Sequence, residues 1–118
     1  MILCFDIDNV ICTTKKTKYN KAKPIIKTIK LINKAYESGF KINLFTGRFY
    51  GRCSGNLKKI IKMDKGLTKR QLKKWGVKYH NLLFGKPVFD VYVDDKNFEF
   101  KKSWHRKFNK KILKNLKT

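Results

Sequence analysis

The feature that most constrains this sequence is a pattern that recurs along it. A short apolar run is cut off by a carboxylate or a hydroxyl. Met1–Phe5 runs into Asp6 and Asp8, Phe40–Phe45 into Thr46, and Val88–Val93 into Asp94 and Asp95. Apolar runs of this length read as buried strands. Between them the period changes. Pro24 suits the first turn of a helix, after which Ile25, Ile29, Ile32 and Tyr36 recur at helical spacing and Gly39 supplies the stop. Thr68 and Gln71 have the spacing of a capping box for a helix running to Trp75 and closed by Gly76. Tyr79–Phe84 reads as a third strand and Val88–Val93 as a fourth.

Residues 12–22 are polar and basic and read as a loop. Residues 49–66 hold Gly51, Gly55 and Gly66 around a short helical segment, Leu57–Ile61. From about Ser103 the stripe Trp104, Phe108, Ile112 and Leu116 predicts a basic amphipathic helix over 103–116. It reads as core or a dimer contact rather than a membrane helix. The alternation predicts an α/β fold with a mainly parallel sheet flanked by helices. At 118 residues the expectation is one domain, 1–118, Rossmann-like and without a large cap. No apolar run reaches the ~18 residues of a membrane span. The N-terminus carries no basic leader before Asp6, so a cytoplasmic protein is expected.

Cys4, Cys12 and Cys53 are scattered and lack zinc-site spacing. Cys4, in an apolar run, reads as a core residue; Cys12 and Cys53 read as free thiols with no base beside them. His80 and His105 have no partner at metal spacing. Thirty Lys+Arg residues against eight Asp+Glu give a net charge of +22. That charge has two readings: a surface for nucleic acid, or a compositional bias that spreads lysine over every exposed face. The lysines run evenly from Lys15 to Lys117 and arginine, the better bidentate phosphate reader, is scarce. This favours the compositional reading.

Parallel α/β sheets collect their sites at the carboxyl ends of strands. Asp6, Asp8, Thr46, Asp94 and Asp95 can therefore converge, with Lys86 reaching the same edge from the loop before the fourth predicted strand. Clustered carboxylates need a cation, and hard oxygen donors without histidine or thiolate favour magnesium. A threonine hydroxyl, glycine amides and a lysine ammonium beside it make a cradle for a phosphoryl dianion. One carboxylate can attack phosphorus, and a second can protonate the leaving alcohol and then activate water.

Phe5-Asp6-Ile7-Asp8-Asn9-Val10-Ile11 resembles the first motif of the haloacid dehalogenase superfamily. Leu44-Phe45-Thr46-Gly47-Arg48 resembles the second, Lys86 the third and Val91-Tyr92-Val93-Asp94-Asp95 the fourth, in that order over residues 1 to about 100. Asp8–Cys12, Asn20–Pro24, Gly85-Lys86-Pro87 and Tyr92–Asp95 are also similar to a small capless group of capsule-biosynthesis phosphatases. The resemblance implies Asp6 as nucleophile and metal ligand, and Asp8 as acid/base with its main-chain carbonyl on the metal. Thr46, the Gly47 amide and Lys86 would hold phosphoryl oxygens, Asn9 and Arg48 would meet the substrate, and Asp95 with Asp94 would complete the metal site. Many members carry a further acid four residues after the fourth-motif aspartate; from Asp95 that position is Glu99, while Asp94 meets Phe98. Arg52 is a second candidate substrate contact.

The expected function is phosphomonoester hydrolysis with Mg2+ on a phosphosugar or similar small phosphate ester, in an open site that a homo-oligomer neighbour could close. The alternatives are a polynucleotide end phosphatase and a nucleic-acid-binding protein on the same fold.

Overall fold

The structure, a computed structural model, describes residues 1–113. The chain divides into two compact units, Met1–Val88 and Phe89–Thr118.

The first unit begins with strand β1, Ile2–Asp6. Its side chains alternate, with Leu3 and Phe5 buried and Ile2 and Cys4 exposed. The expectation of Cys4 as a core residue is thus corrected: an apolar run does not bury both faces of a strand unless both are covered. The chain then coils back on itself, with the Ile7 carbonyl accepting the N–H groups of Val10, Ile11 and Cys12. Two-residue strands β2, Cys12–Thr13, and β3, Lys23–Pro24, pair antiparallel, so residues 12–22 form a small hairpin with a 3₁₀ turn at Tyr19–Lys21 rather than a plain loop.

Helix α1 spans Ile26–Glu37 and buries Thr28, Ile29, Leu31, Ile32 and Ala35. It ends at Gly39, whose φ of +94° suits a residue without Cβ. Strand β4, Lys41–Thr46, buries Ile42, Leu44 and Thr46. Helix α2, Leu57–Asp64, starts where the Asn56 side chain accepts the Lys59 N–H at 3.1 Å. Helix α3, Leu67–Lys74, follows at once, and strand β5, Asn81–Phe84, completes a parallel three-stranded sheet of order β1-β4-β5. Helix α1 packs on β4 and α2 on β5. Ile7, Ile11, Ile32, Ile42, Leu44, Ile60 and Leu72 lose essentially all their exposure, each contributing about 1.5–3 kcal/mol by burial.

Two further predicted features change. Thr68 is not a helix cap: Gly66 precedes α3, and Thr68 lies inside it, buried. The predicted fourth strand does not form. Val88, Val91 and Val93 are 75%, 80% and 90% exposed and residues 88–93 join no sheet. An apolar, β-branched segment becomes a strand only where a neighbour supplies cross-strand contacts.

In the second unit, helix α4, Trp104–Phe108, runs into a π-helical turn at Asn109–Leu113. Trp104, Phe108 and Leu113 are buried, and the Phe108 ring meets Trp104 and Phe98 edge-on at 5.7 and 5.1 Å. The remainder of the helix predicted over 103–116, with Leu116, lies outside the described residues.

Candidate active site

The register of the sheet brings distant residues level. Asp6 pairs with Phe45, and Thr46 with Phe84. Asp6, Thr46 and the loop after β5 therefore meet at the carboxyl ends of three adjacent strands. The Lys86 N–H donates to the Thr46 carbonyl at 3.1 Å, pinning that loop to the end of β4. A Cβ at Gly47 would stand 3.1 Å from the Lys86 carbonyl oxygen, so the approach of the two backbones favours glycine there.

Lys86 Nζ lies 2.9 Å from Asp6 Oδ2, and Asp6 Oδ1 accepts the Ile7 N–H at 2.9 Å. Both side chains remain about one-third exposed, 26% for Lys86 and 34% for Asp6. This carboxylate is held yet open to a ligand.

Asp8 is held differently. Arg48 donates from Nε to Oδ1 and Oδ2 at 3.2 and 3.0 Å and from Nη2 to Oδ1 at 2.9 Å; Thr14 Oγ1 donates to Oδ1 at 2.6 Å. The Arg48 side chain is fully buried. Its Nη1 donates to Thr68 Oγ1 at 3.2 Å and to Gln71 Oε1 at 2.5 Å, and its guanidinium lies 5.0 Å from the Tyr19 ring centroid. Thr68 Oγ1 in turn donates to the buried Asp64 at 2.6 Å, and Gln71 Nε2 to the Tyr19 carbonyl at 2.6 Å. Arg48, expected at the substrate, stands instead behind Asp8 as a buried guanidinium whose donors are spent on the protein. A buried charge needs such partners.

The other expected residues fall as follows. Thr46 is buried, its Oγ1 accepting the Arg48 N–H at 3.1 Å. Asn9 adopts a left-handed φ of +67°, and its side-chain oxygen accepts the Thr14 N–H at 3.4 Å, so it shapes the loop. Arg52 donates to Thr17 at 3.3 Å. Cys12 is buried with Sγ 3.7 Å from Asp8 Oδ1, and burial, foremost, pushes its thiol up. His80 Nδ1 accepts the Ile42 N–H at 2.9 Å and its ring stacks on Tyr36.

Asp94 and Asp95 belong to the second unit. The Lys96 N–H at 2.8 Å and the Tyr92 hydroxyl at 2.9 Å hold the Asp94 carboxyl below the usual carboxylate range. Glu99 pairs with Lys101 and Lys107 at 3.1 and 3.6 Å, which lowers its pKa as well.

Among the described residues, no three of His, Cys, Asp and Glu gather into a metal-holding group. The donor chemistry at the end of β1 nevertheless fits magnesium, because Asp6 offers a part-exposed hard oxygen.

The sequence does not single out Asp64, Tyr19 or Thr14, and it marks Thr68 and Gln71 only as a capping box, not as partners of Arg48. The one legible signal was a carboxylate, Asp64, inside a stretch of lysines.

The arrangement defines the class of molecule: an α/β protein with the small haloacid dehalogenase-like fold. A structural-genomics target from Vibrio cholerae shares it with a TM-score of 0.77 at 24% identity, covering 92% of this chain and 97% of that one. A chain of the Pnkp1/Rnl/Hen1 RNA repair complex gives a TM-score of 0.53 at 14% identity, covering 94% of this chain and 31% of that one. A D,D-heptose 1,7-bisphosphate phosphatase from B. bronchiseptica, solved with magnesium and phosphate, gives 0.49 at 11%, covering 92% of this chain and 62% of that one. Neither a family model nor a curated protein sequence matches the chain. Among the described residues, no helix is long and apolar enough to cross a membrane.

Proposed function

We propose that this protein is a magnesium-dependent phosphomonoesterase that works through an aspartyl-phosphate at Asp6, on a phosphosugar or similar small ester. The observation that carries this reading is the meeting of Asp6, Thr46–Gly47 and Lys86 at three adjacent strand ends, with Lys86 Nζ 2.9 Å from Asp6.

The chemistry divides between the two carboxylates. Asp6 attacks phosphorus, the phosphorus–oxygen bond to the leaving alcohol breaks, and Asp8 gives that oxygen a proton. Asp8 then takes a proton from water as it attacks the aspartyl-phosphate, and the bond from phosphorus to Asp6 breaks to release phosphate. Lys86 and the Gly47 amide carry the negative charge of the phosphoryl oxygens; Thr46, expected from the motif to hold one of them too, is buried with its Oγ1 accepting the Arg48 N–H and supports the turn that presents them. Magnesium, held by Asp6 and the Asp8 carbonyl and, on the motif resemblance, by Asp95 with Asp94, would neutralise charge on those oxygens. The chain would act in the cytoplasm without a large cap, its open site closed by the substrate or by a second copy.

A second reading, a polynucleotide end phosphatase, is favoured by the charge of +22 and by the fold likeness to a chain of an RNA repair complex. Salt separates the two. We expect kcat/KM for a phosphosugar to need magnesium, to vanish with chelator and to change little between 50 and 200 mM salt. An end-phosphorylated oligonucleotide that neutralised several lysines would lose about 10³-fold over that range. Preference for the oligonucleotide with that slope overturns the first choice, and full activity in excess chelator overturns magnesium dependence.

A further inference from the structure

We infer that Arg48, braced by Thr68, Gln71 and Asp64, is a positioning residue that holds the Asp8 carboxylate in one orientation toward the leaving group. The inference rests on the phosphomonoesterase reading and adds to it a brace, Thr68, Gln71 and Asp64, that lies outside the sequence motifs.

The two oxygens of Asp8 are not equivalent. Oδ1 accepts from Thr14 Oγ1 at 2.6 Å, Arg48 Nη2 at 2.9 Å and Arg48 Nε at 3.2 Å. Oδ2, among the described residues, accepts from Arg48 Nε alone, at 3.0 Å. A carboxylate oxygen has about two lone-pair sites. Oδ1 is therefore filled, and Oδ2 keeps a lone pair. The side chain of Asp8 retains 21% of its exposure while that of Arg48 has none. The carboxylate thus faces solvent on one side and the buried guanidinium on the other.

The guanidinium is itself oriented. Nη1 is directed by two acceptors, Gln71 Oε1 and Thr68 Oγ1, on successive turns of α3. Thr68 can present a lone pair to Arg48 because its own hydrogen goes to Asp64 Oδ1, 2.6 Å away. Asp64 also faces the Thr68 N–H, 3.4 Å from each of its oxygens, and is 4% exposed. Gln71 extends the brace to the hairpin, donating to the Tyr19 carbonyl, while the Tyr19 ring lies under the guanidinium. A misdirected Arg48 would let the carboxylate rotate and place either oxygen toward the leaving group. Acid catalysis depends on that alignment.

The test is the leaving-group dependence of kcat/KM, which reports steps up to the first irreversible one. Departure of p-nitrophenolate needs little protonation; departure of an alkoxide needs a proton from Asp8. Wild type, Arg48→Lys, Thr68→Val, Thr14→Val and Asp8→Asn are assayed with p-nitrophenyl phosphate and with an alkyl phosphate. Thr68→Val keeps the shape of a buried side chain that touches no reacting atom, so it reports even where Arg48→Lys fails to fold. The expected result is a selective loss. Arg48→Lys should lose the alkyl ester at least roughly 10²-fold more than the aryl ester, moving toward the ratio of Asp8→Asn, with Thr68→Val shifting the same way by less. Equal losses on both esters would show a merely structural role and overturn the inference, as would unchanged ratios in both variants. A wild type inactive on both esters overturns the phosphomonoesterase reading itself, an outcome distinct from the other two.

Discussion

Asp6 and Asp8 in the first unit and Asp94 and Glu99 in the second are held in opposite ways. In the first, Asp6 and Asp8 are held by residues brought from far along the chain, Lys86 and Arg48, which stand on the loop after β5 and at the turn after β4. In the second, Asp94 is held by its near neighbours Tyr92 and Lys96, and Glu99 by Lys101 and Lys107. Long-range pairing needs the sheet to be built before the pair can exist, whereas a local turn needs only a few residues. Charged groups whose positions depend on the whole fold are the ones a protein can preorganise for chemistry. On the proposed function, Asp6 and the residues that hold it are therefore the groups to test first.

Breaking this contrast is simplest at the proposed nucleophile. Asp6→Asn keeps the shape of the side chain but cannot form the acyl phosphate, and turnover should fall on the order of 10⁴-fold or more. Asp90→Asn, an exposed carboxylate of the second unit, should leave turnover within a few-fold of wild type. Circular dichroism of both variants should match wild type. Substantial activity in Asp6→Asn would remove the nucleophile from the proposal.

A lysine pair sharpens the same contrast at smaller scale. Lys86→Ala removes the cation at 2.9 Å from Asp6 and, on the proposed function, a charge-bearing donor to the phosphoryl group, for an expected loss of roughly 10²–10³-fold in kcat/KM. Lys110, exposed in the π-helical turn of the second unit, should tolerate alanine with almost no change. Equal, small effects at the two positions would make Lys86 one more solvated lysine.

The sequence made the local part of this architecture legible. The apolar runs marked β1, β4 and β5, and the helical stripe with its glycine stop marked α1, because each depends on periodicity within a dozen residues. It left the brace behind Asp8 invisible. Thr68 and Gln71 have capping-box spacing, yet their side chains turn to Arg48, Asp64 and Tyr19, partners no spacing rule can supply. Residues 88–93 failed in the opposite sense: their pattern is that of a strand, but pairing is a property of neighbours, and Val88, Val91 and Val93 stay exposed. Arg48 looked like a substrate contact because it follows Thr46-Gly47 at the end of β4; its burial follows from the position of α3, which local sequence does not encode.

The smallest expected effect concerns the thiols, and it asks whether the brace around Asp8 is closed to solvent. Cys12 is buried, with Sγ 3.5 Å from Thr14 Oγ1 and 3.8 Å from Arg48 Nη2. Burial, first, and the Asp8 carboxylate as a further contribution push its thiol up, outweighing the lowering from Thr14 and Arg48. Because the thiolate is the reacting form, a raised pKa and burial act together to slow alkylation, and a higher pH relieves only the first. Cys4 on the exposed face of β1 is the internal comparison; burial, first, and the Asp6 carboxylate push its thiol up too, so exposure is what separates the two. In native protein iodoacetamide should label Cys4 first at each pH tested, and Cys12 should react on the Cys4 timescale only after denaturation. Mass spectrometry of the two peptides reads this directly. If Cys12 is labelled as fast as Cys4 without denaturant, the pocket behind Asp8 opens on that timescale. A carboxylate held by so mobile a guanidinium would then have no fixed oxygen to offer, and the contrast between a preorganised first unit and a locally arranged second would fail at its centre.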